Sequence, residues 1–135
     1  MVKIKIEFFI PMKKIPTTTH QQKKVRVVKG KPQFYEPDSL KDARSKYMSL
    51  LSAHKPDQKI SGPIRLTVKW LFPMTKQSVN GQYKTSKPDT DNLNKLLKDC
   101  MTELGFWNDD AQVASEIIEK FWADNVGIYV KVEQL

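Results

Sequence analysis

The chain has 135 residues, 39% of them hydrophobic and 28% charged, and its formal net charge is +8. This length accommodates one domain with a hydrophobic core but not two, and the composition is that of a globular chain. We expect no membrane span and no signal peptide, because the apolar runs are short and the N-terminus alternates apolar with charged residues. A single cysteine, Cys100, excludes an internal disulfide and a cysteine-based zinc site, and it indicates a reducing, cytoplasmic location.

The positive charge is concentrated in the first half of the chain. Residues 1–60 carry 14 Lys/Arg and 5 Asp/Glu, whereas residues 61–135 carry 9 and 10. No acidic residue occurs between Glu7 and Glu36. This asymmetry indicates an anionic partner, with nucleic acid the first candidate, although a basic protein without such a partner is the alternative. The basic residues of this interval are Lys13, Lys14, Lys23, Lys24, Arg26, Lys29 and Lys31.

The first part of the chain predicts a strand, a basic loop and a helix. Residues 1–10 alternate in polarity, which predicts a strand with Val2, Ile4, Ile6 and Phe8 on one side. Residues 17–33 are predicted to form a basic loop or an exposed hairpin, with a short strand around residues 25–28. A helix is predicted from Ser39 to about His54, because apolar residues recur there at helical spacing. These residues are Leu40, Ala43, Tyr47, Leu50 and Leu51.

A second strand and a second helix follow. Alternating apolar residues at positions 64, 66, 68 and 70 predict a strand that Phe72-Pro73 ends, and residues 74–86 predict a polar loop. Residues 91–104 predict a helix that ends at Gly105 in a left-handed conformation. Its apolar stripe comprises Leu93, Leu96, Leu97, Cys100, Met101 and Leu104, which places the cysteine in the core.

The last part of the chain is more ambiguous. Residues 112–122 fit a helix or a strand, but the following turn at residues 124–127 and the alternation of residues 128–132 favour two strands joined as a hairpin. The predicted fold class is therefore α/β (α+β). We expect residues 1–135 to form a single domain with a mixed sheet of about four or more strands, covered on one face by two main helices.

Carboxylates gather around the start of the second helix. Asp89 and Asp91 are two residues apart, so in extended backbone both side chains can face one ion. Lys95 follows one helical turn after Asp91, away from the apolar stripe. A helix N-terminus also favours bound phosphate. Asp109 and Asp110 can join the first pair only if the chain returns beside the start of the helix.

This pattern indicates a metal site for phosphate chemistry, although a structural role is the alternative. Oxygen ligands without His or Cys favour Mg²⁺ or Mn²⁺, and such ions assist phosphoryl hydrolysis. In the alternative, Asp89 is an N-cap, Asp91 and Lys95 form a surface salt bridge, and residues 109–110 form a turn. A calcium loop is excluded, because its fifth position is Leu93 and no glycine follows. A glycosyltransferase with an Asp-x-Asp motif stays open as an alternative, although 135 residues leave little room for a nucleotide-sugar fold.

Two sequence runs carry a family resemblance. The run KPDTDNLNKLLKD at residues 87–99 and the run GFWNDDAQV at residues 105–113 resemble the signature of the RusA-type Holliday junction resolvases, which are small phage-associated endodeoxyribonucleases. The resemblance extends to the basic N-terminal region and the C-terminal strands. It therefore covers most of the chain, and it implies a RusA-like fold for the single domain.

The resemblance implies a role for each acidic residue and for one lysine. It assigns metal binding to Asp89 and Asp91 and a catalytic role to Lys95. It further implies that Asp110 completes the metal site, with Asp109 a less certain neighbour. The implied cofactor is Mg²⁺, with Mn²⁺ as a substitute.

The resemblance also implies partners and a reaction. It implies a homodimer that binds a four-way DNA junction and symmetrically nicks two strands of like polarity, in DNA recombination and repair. A competing hypothesis is a non-catalytic basic DNA-binding or phage assembly protein. Exposed aromatic residues at positions 72, 106 and 107 are candidates for stacking on unpaired bases, although core packing is favoured for each. The residues expected to contact DNA are Lys13, Lys14, Lys23, Lys24, Arg26, Lys29 and Lys87.

Overall fold

The computed structural model describes residues 2–17, 24–28, 30–35 and 38–135, with the backbone alone for residues 24–28 and 32–35. The strands are β1 (Lys5–Pro11), β2 (Lys24–Val28), β3 (Lys31–Tyr35), β4 (Ile64–Pro73), β5 (Val113–Ala123) and β6 (Gly127–Gln134). The helices are α1 (Asp38–Ser52) and α2 (Thr90–Leu104), and a short 3-10 helix spans Asp110–Gln112. Within these residues, neither α-helix has the length and apolar content needed to cross a bilayer.

Four strands form one mixed sheet in the order β1-β6-β4-β5. β6 runs antiparallel to both β1 and β4, whereas β5 runs parallel to β4. β2 and β3 form a separate antiparallel hairpin, which agrees with the hairpin alternative for the basic region. β1 begins at Lys5, so Val2 and Ile4 lie before the strand, and Val2 is 91% exposed.

The predicted hairpin between the last two strands is wrong. β5 and β6 do not pair, because β4 lies between them. Their short connection crosses the end of β4, where Pro73 is in register with Ala123 of β5 and Leu71 with Gly127 of β6. Strands on both sides cover the two edges of β4, whose Leu66, Val68 and Trp70 are fully buried. A tight turn limits the distance between two strands but does not determine which strand lies between them.

Both helices cover the same face of the sheet, as predicted. The indole ring of Trp70 in β4 contacts the ring of Tyr47 in α1 edge-on, with a centroid distance of 6.4 Å. Its Nε1 also donates a 2.7 Å hydrogen bond to Oδ1 of Asn94 in α2. One β4 side chain therefore contacts both helices, and the predicted α+β domain is confirmed.

The apolar core residues of α2 are those predicted from periodicity. α2 ends at Gly105, which adopts a left-handed conformation with φ 89°. Phe72, Phe106 and Trp107 are buried, so they pack in the core and do not form an exposed surface for base stacking. Cys100 is buried as well. The remaining buried residues of the α2 stripe are Leu93, Leu96, Leu97 and Met101, and Leu104 is partly buried against them.

Candidate active site

The start of α2 leaves one carboxylate unused by the helix. Asp89 occupies the N-cap position in an extended conformation (φ −72°, ψ 148°), but its side chain makes no capping hydrogen bond. An N-cap aspartate ordinarily accepts from a backbone N–H of the first turn, which satisfies one of the free donors there. The Asp89 side chain is exposed, and it does not cap the helix as its position would suggest.

A single cleft brings together Asp91, Lys95 and Asp110. Its volume is about 370 Å³. Asp91 and Lys95 are exposed on successive turns of α2, and Asp110 opens the 3-10 helix that follows Gly105. The chain thus turns back beside the start of α2. The sequence alone did not determine whether it would do so. The other lining residues are Asn92, Asn94, Lys98, Asp99 and Glu116.

Asp89 lines a neighbouring cleft. This second cleft has a volume of about 510 Å³ and is lined by Thr17, Lys87, Pro88, Asp89 and Asn92. Asn92 lines both clefts, so they adjoin at the first turn of α2. Within the described residues, no group of three His, Cys, Asp or Glu side chains is positioned to hold a metal ion. The structure therefore places Asp91 and Asp110 in one cleft and Asp89 beside it.

Asp109 and Asp110 have different environments. The Asp109 carboxylate accepts a 2.9 Å hydrogen bond from the backbone N of Ala111 and caps the 3-10 helix. The Asp110 side chain makes no hydrogen bond or ion pair with the residues that the structure describes, and it lines the cleft. Asp109 thus caps the 3-10 helix, whereas Asp110 lines the cleft.

Gln112 fixes this turn, and sequence reasoning missed its role. Its Oε1 accepts from the backbone N of Asn108 and of Asp109, at 2.8 and 3.1 Å. Its Nε2 donates to the carbonyls of Ile60 and Gly62, both at 3.0 Å. The signal was present in the sequence, because an aspartate followed by glutamine three positions later is a capping-box pattern.

Glu116 and Lys98 form a polar wall of the Asp91 cleft that the sequence did not reveal. Asn94 is 1% exposed, and its Nδ2 donates a 3.2 Å hydrogen bond to Oε1 of Glu116. The other oxygen of Glu116 pairs with Nζ of Lys98 at 2.9 Å. These contacts join β5 to α2 across the cleft. Residues 112–122 fitted a helix or a strand, so the direction of Glu116 was not predictable.

The predicted DNA-contacting residues are only partly described. Lys87 is exposed and lines the Asp89 cleft. Lys13 and Lys14 are exposed, and Lys14 lines a third cleft that shares Thr17 with the Asp89 cleft. Lys23 and Lys29 lie outside the described residues, as do the side chains of Lys24 and Arg26. The assignment of this group to DNA contact stays a prediction.

Comparison with known proteins connects this geometry to one family. Residues 14–133 match the family model described as "Endodeoxyribonuclease RusA". The chain is 36% identical over 110 residues to "Crossover junction endodeoxyribonuclease rusA" of Lactococcus phage r1t, covering 82% of this chain and 83% of that protein. It is also 29% identical over 117 residues to "Uncharacterized protein YqaN" of Bacillus subtilis (strain 168), covering 78% of this chain and 82% of that protein. The family match includes both clefts and the segments that form them.

Proposed function

The chain belongs to the RusA family of endodeoxyribonucleases, and from this premise we propose that it resolves four-way DNA junctions by Mg²⁺-dependent hydrolysis of the phosphodiester backbone. The observation that carries the proposal is the single cleft that Asp91, Lys95 and Asp110 line together. In this proposal Asp91 and Asp110 are metal ligands, Asp89 joins them from the adjoining cleft, and Lys95 is catalytic.

The donor set of the cleft suits a hard divalent cation. Its anionic ligands are all carboxylates, and no His or Cys lines it. Mg²⁺ at phosphoryl-transfer sites is commonly held by one or two carboxylates, with waters and substrate phosphate supplying the other ligands. Asp91 and Asp110 meet this requirement without a preformed cage of three acids. When bound, the ion supplies polarisation of a phosphoryl oxygen and activation of water.

Lys95 supplies the positive charge that the reaction needs. Its side chain is exposed at the cleft and forms no salt bridge with the described residues, so its ammonium group is free to bind a non-bridging phosphate oxygen. An oriented cation stabilises the negative charge that develops on phosphate during hydrolysis. Lys98, the neighbouring lysine of the cleft, is instead paired with Glu116.

The proposed partner is a four-way DNA junction bound by a homodimer in the cytoplasm. Two copies of one active site related by a two-fold axis match a substrate with two equivalent strands, which accounts for paired symmetric nicking. The basic region contributes contacts to phosphate, and such contacts position the protein on DNA without reading the base sequence. Lys87 lies beside Asp89, so it contacts the phosphate next to the cleavage site in this proposal.

The decisive experiment incubates the protein with a synthetic four-way junction or a matched linear duplex, with and without Mg²⁺. We expect paired nicks in the junction alone and only with the ion. Asp91→Asn is expected to retain junction binding but to cut at least about 100-fold more slowly. Asp57→Asn is the matched control, because Asp57 is exposed between α1 and β4 and does not line the cleft.

Three outcomes of this experiment would contradict the proposal in different ways. Full activity of Asp91→Asn would remove that residue from the metal site. Equal cutting of junction and duplex would indicate a general nuclease. Tight binding of the junction without cutting in Mg²⁺ or Mn²⁺ would favour the non-catalytic DNA-binding alternative.

The basic region is tested by the salt dependence of binding. Replacing Lys23, Lys24 and Arg26 with alanine is expected to weaken junction binding and to reduce the slope of log K against log [salt] by about 0.9 for each phosphate that the variant no longer neutralises. The matched control replaces three exposed lysines elsewhere, namely Lys3, Lys5 and Lys55, and removes the same net charge. An unchanged slope in the first variant would exclude these three residues from DNA contact.

A further inference from the structure

We propose that Lys84 and Lys120 are positioning residues that hold the backbone in front of Asp89 and thereby set that carboxylate against the Asp91 cleft. Nζ of Lys120 donates to the carbonyls of Ser86 and Pro88, at 2.7 and 2.8 Å. Nζ of Lys84 donates to the carbonyl of Lys87 at 2.6 Å and to the Ser86 hydroxyl at 2.5 Å. All three carbonyls that precede Asp89 therefore accept from one of these two ammonium groups, which we call the lysine clamp.

The hydrogen bonds and aromatic contacts of Lys84 offset the free-energy cost of burying its ammonium group. The residue is 8% exposed, and its Nζ lies 4.5 Å from the ring centroid of Trp122 and 5.2 Å from that of Phe72. A buried ammonium group is unfavourable unless hydrogen bonds and aromatic faces replace its water. Burial, and then the charge of Lys120, lowers the pKa of Lys84 from its ordinary value. An apolar side chain would avoid this cost but would leave the loop carbonyl without its donor.

The clamp connects the Asp89 loop to the strand that also borders the Asp91 cleft. Lys120 and Glu116 are four residues apart on β5, on the same side of the strand and about 13 Å apart along it. Glu116 lines the Asp91 cleft, whereas Lys120 holds the residues before Asp89. The backbone N of Lys84 also donates to the carbonyl of Lys120 at 2.9 Å. β5 thus fixes the distance between Asp89 and the carboxylates of the Asp91 cleft.

A direct role of the clamp lysines in DNA binding does not fit these contacts. Both ammonium groups are hydrogen bonded to protein oxygens of the loop, and Lys84 is buried beneath aromatic rings. Removing either lysine should therefore loosen the loop that carries Lys87 and Asp89. The catalytic consequence rests on the proposed function, whereas the effect on the loop does not.

The test compares Lys120→Met and Lys84→Met with Lys69→Met. Lys69 is the matched control, because it lies on β4 with its Nζ 5.4 Å from the ring centroid of Tyr129 and makes no contact with the loop. Amide hydrogen exchange of Leu93, whose N–H donates to the carbonyl of Asp89 at 3.2 Å, is expected to rise at least about 10-fold in the clamp variants alone. The Mg²⁺ concentration for half-maximal cleavage, and the Kd for Mn²⁺ measured by electron paramagnetic resonance, are expected to rise about 10- to 100-fold. Lys120→Arg is expected to restore part of both, since arginine also donates to carbonyls.

The outcomes separate the clamp from the proposed function. Unchanged hydrogen exchange in a folded Lys120→Met protein would overturn the clamp. Faster exchange with an unchanged Mg²⁺ requirement and an unchanged Mn²⁺ Kd would overturn the positioning role. If the unmodified protein cuts no junction, the proposed function fails, and Mn²⁺ binding then decides the positioning role without reference to cleavage. If Lys84→Met does not fold, Lys120→Met supplies the same comparison.

Discussion

Two helix starts in this protein place an aspartate at the N-cap position and use it in opposite ways. Asp109 precedes the 3-10 helix and accepts a hydrogen bond from its first turn, as a capping residue does. Asp89 precedes the much longer α2, adopts the extended backbone of an N-cap, and makes no such bond. Residue type and local position are the same, so the difference arises from what surrounds each turn.

The surroundings show why the two aspartates differ. Gln112 completes the cap at Asp109 and attaches that turn to the carbonyls of Ile60 and Gly62, which leaves Asp110 to line the cleft. The backbone before Asp89 is held by the lysine clamp, so its position does not depend on a cap made by its own side chain. Because the Asp89 carboxylate has no capping role, it is available for the proposed metal binding.

The largest expected effect is on junction cleavage, in which Asp89 is expected to act and Asp109 is not. Asp89→Asn should reduce junction cleavage by at least about 100-fold, because a neutral amide binds a divalent metal ion more weakly than a carboxylate does. Its free energy of unfolding should change by less than about 0.5 kcal/mol, since the side chain makes no capping bond and asparagine suits an N-cap position. Single-turnover cleavage and urea unfolding measure the two effects. Normal cleavage by this variant would make Asp89 a plain surface residue and remove the contrast with Asp109.

An intermediate effect is expected at Gln112. Gln112→Ala removes the bonds from the Gln112 side chain to the backbone N–H groups of residues 108–109 and to the carbonyls of Ile60 and Gly62, and we expect it to lower the free energy of unfolding by about 1–3 kcal/mol. Gln112→Glu should recover part of this loss, because a carboxylate can accept from the two backbone N–H groups but cannot donate to the two carbonyls. Urea unfolding of both variants makes the comparison. Equal stability of the alanine variant and the unmodified protein would show that Gln112 does not hold the turn.

The smallest expected effect is at Asp109, and it is the reverse of that at Asp89. Asp109→Ala should lower the free energy of unfolding by about 1 kcal/mol, the usual cost of removing a cap. Asp109→Ser should restore it, because serine also caps. Cleavage at saturating protein should fall less than about 10-fold in either variant. A loss of cleavage in Asp109→Ser as large as that of Asp89→Asn would show that both aspartates act in the reaction.

Local spacing was sufficient to predict much of this molecule. Three features depend only on residues that are close in sequence. They are the apolar periodicity of α2, the end of α2 at Gly105 and the alternation of apolar residues along β4. The motif at residues 87–99, with the second run at residues 105–113, was sufficient to predict the family, which the comparisons confirm. The burial of Cys100 and Trp107 also followed from the sequence.

The rest depended on contacts between distant residues. The placement of β4 between β5 and β6 overturned the predicted hairpin, because strand order is set by burial of the whole sheet and not by the turn at residues 124–127. The return of Asp110 to α2 and the clamp of Lys84 and Lys120 on the Asp89 loop likewise join residues that are far apart in sequence. The sequence alone therefore determined which side chains are present for the chemistry. Only the tertiary structure decided that Asp91, Lys95 and Asp110 share a cleft, because that choice depends on non-local packing around β4 and β5.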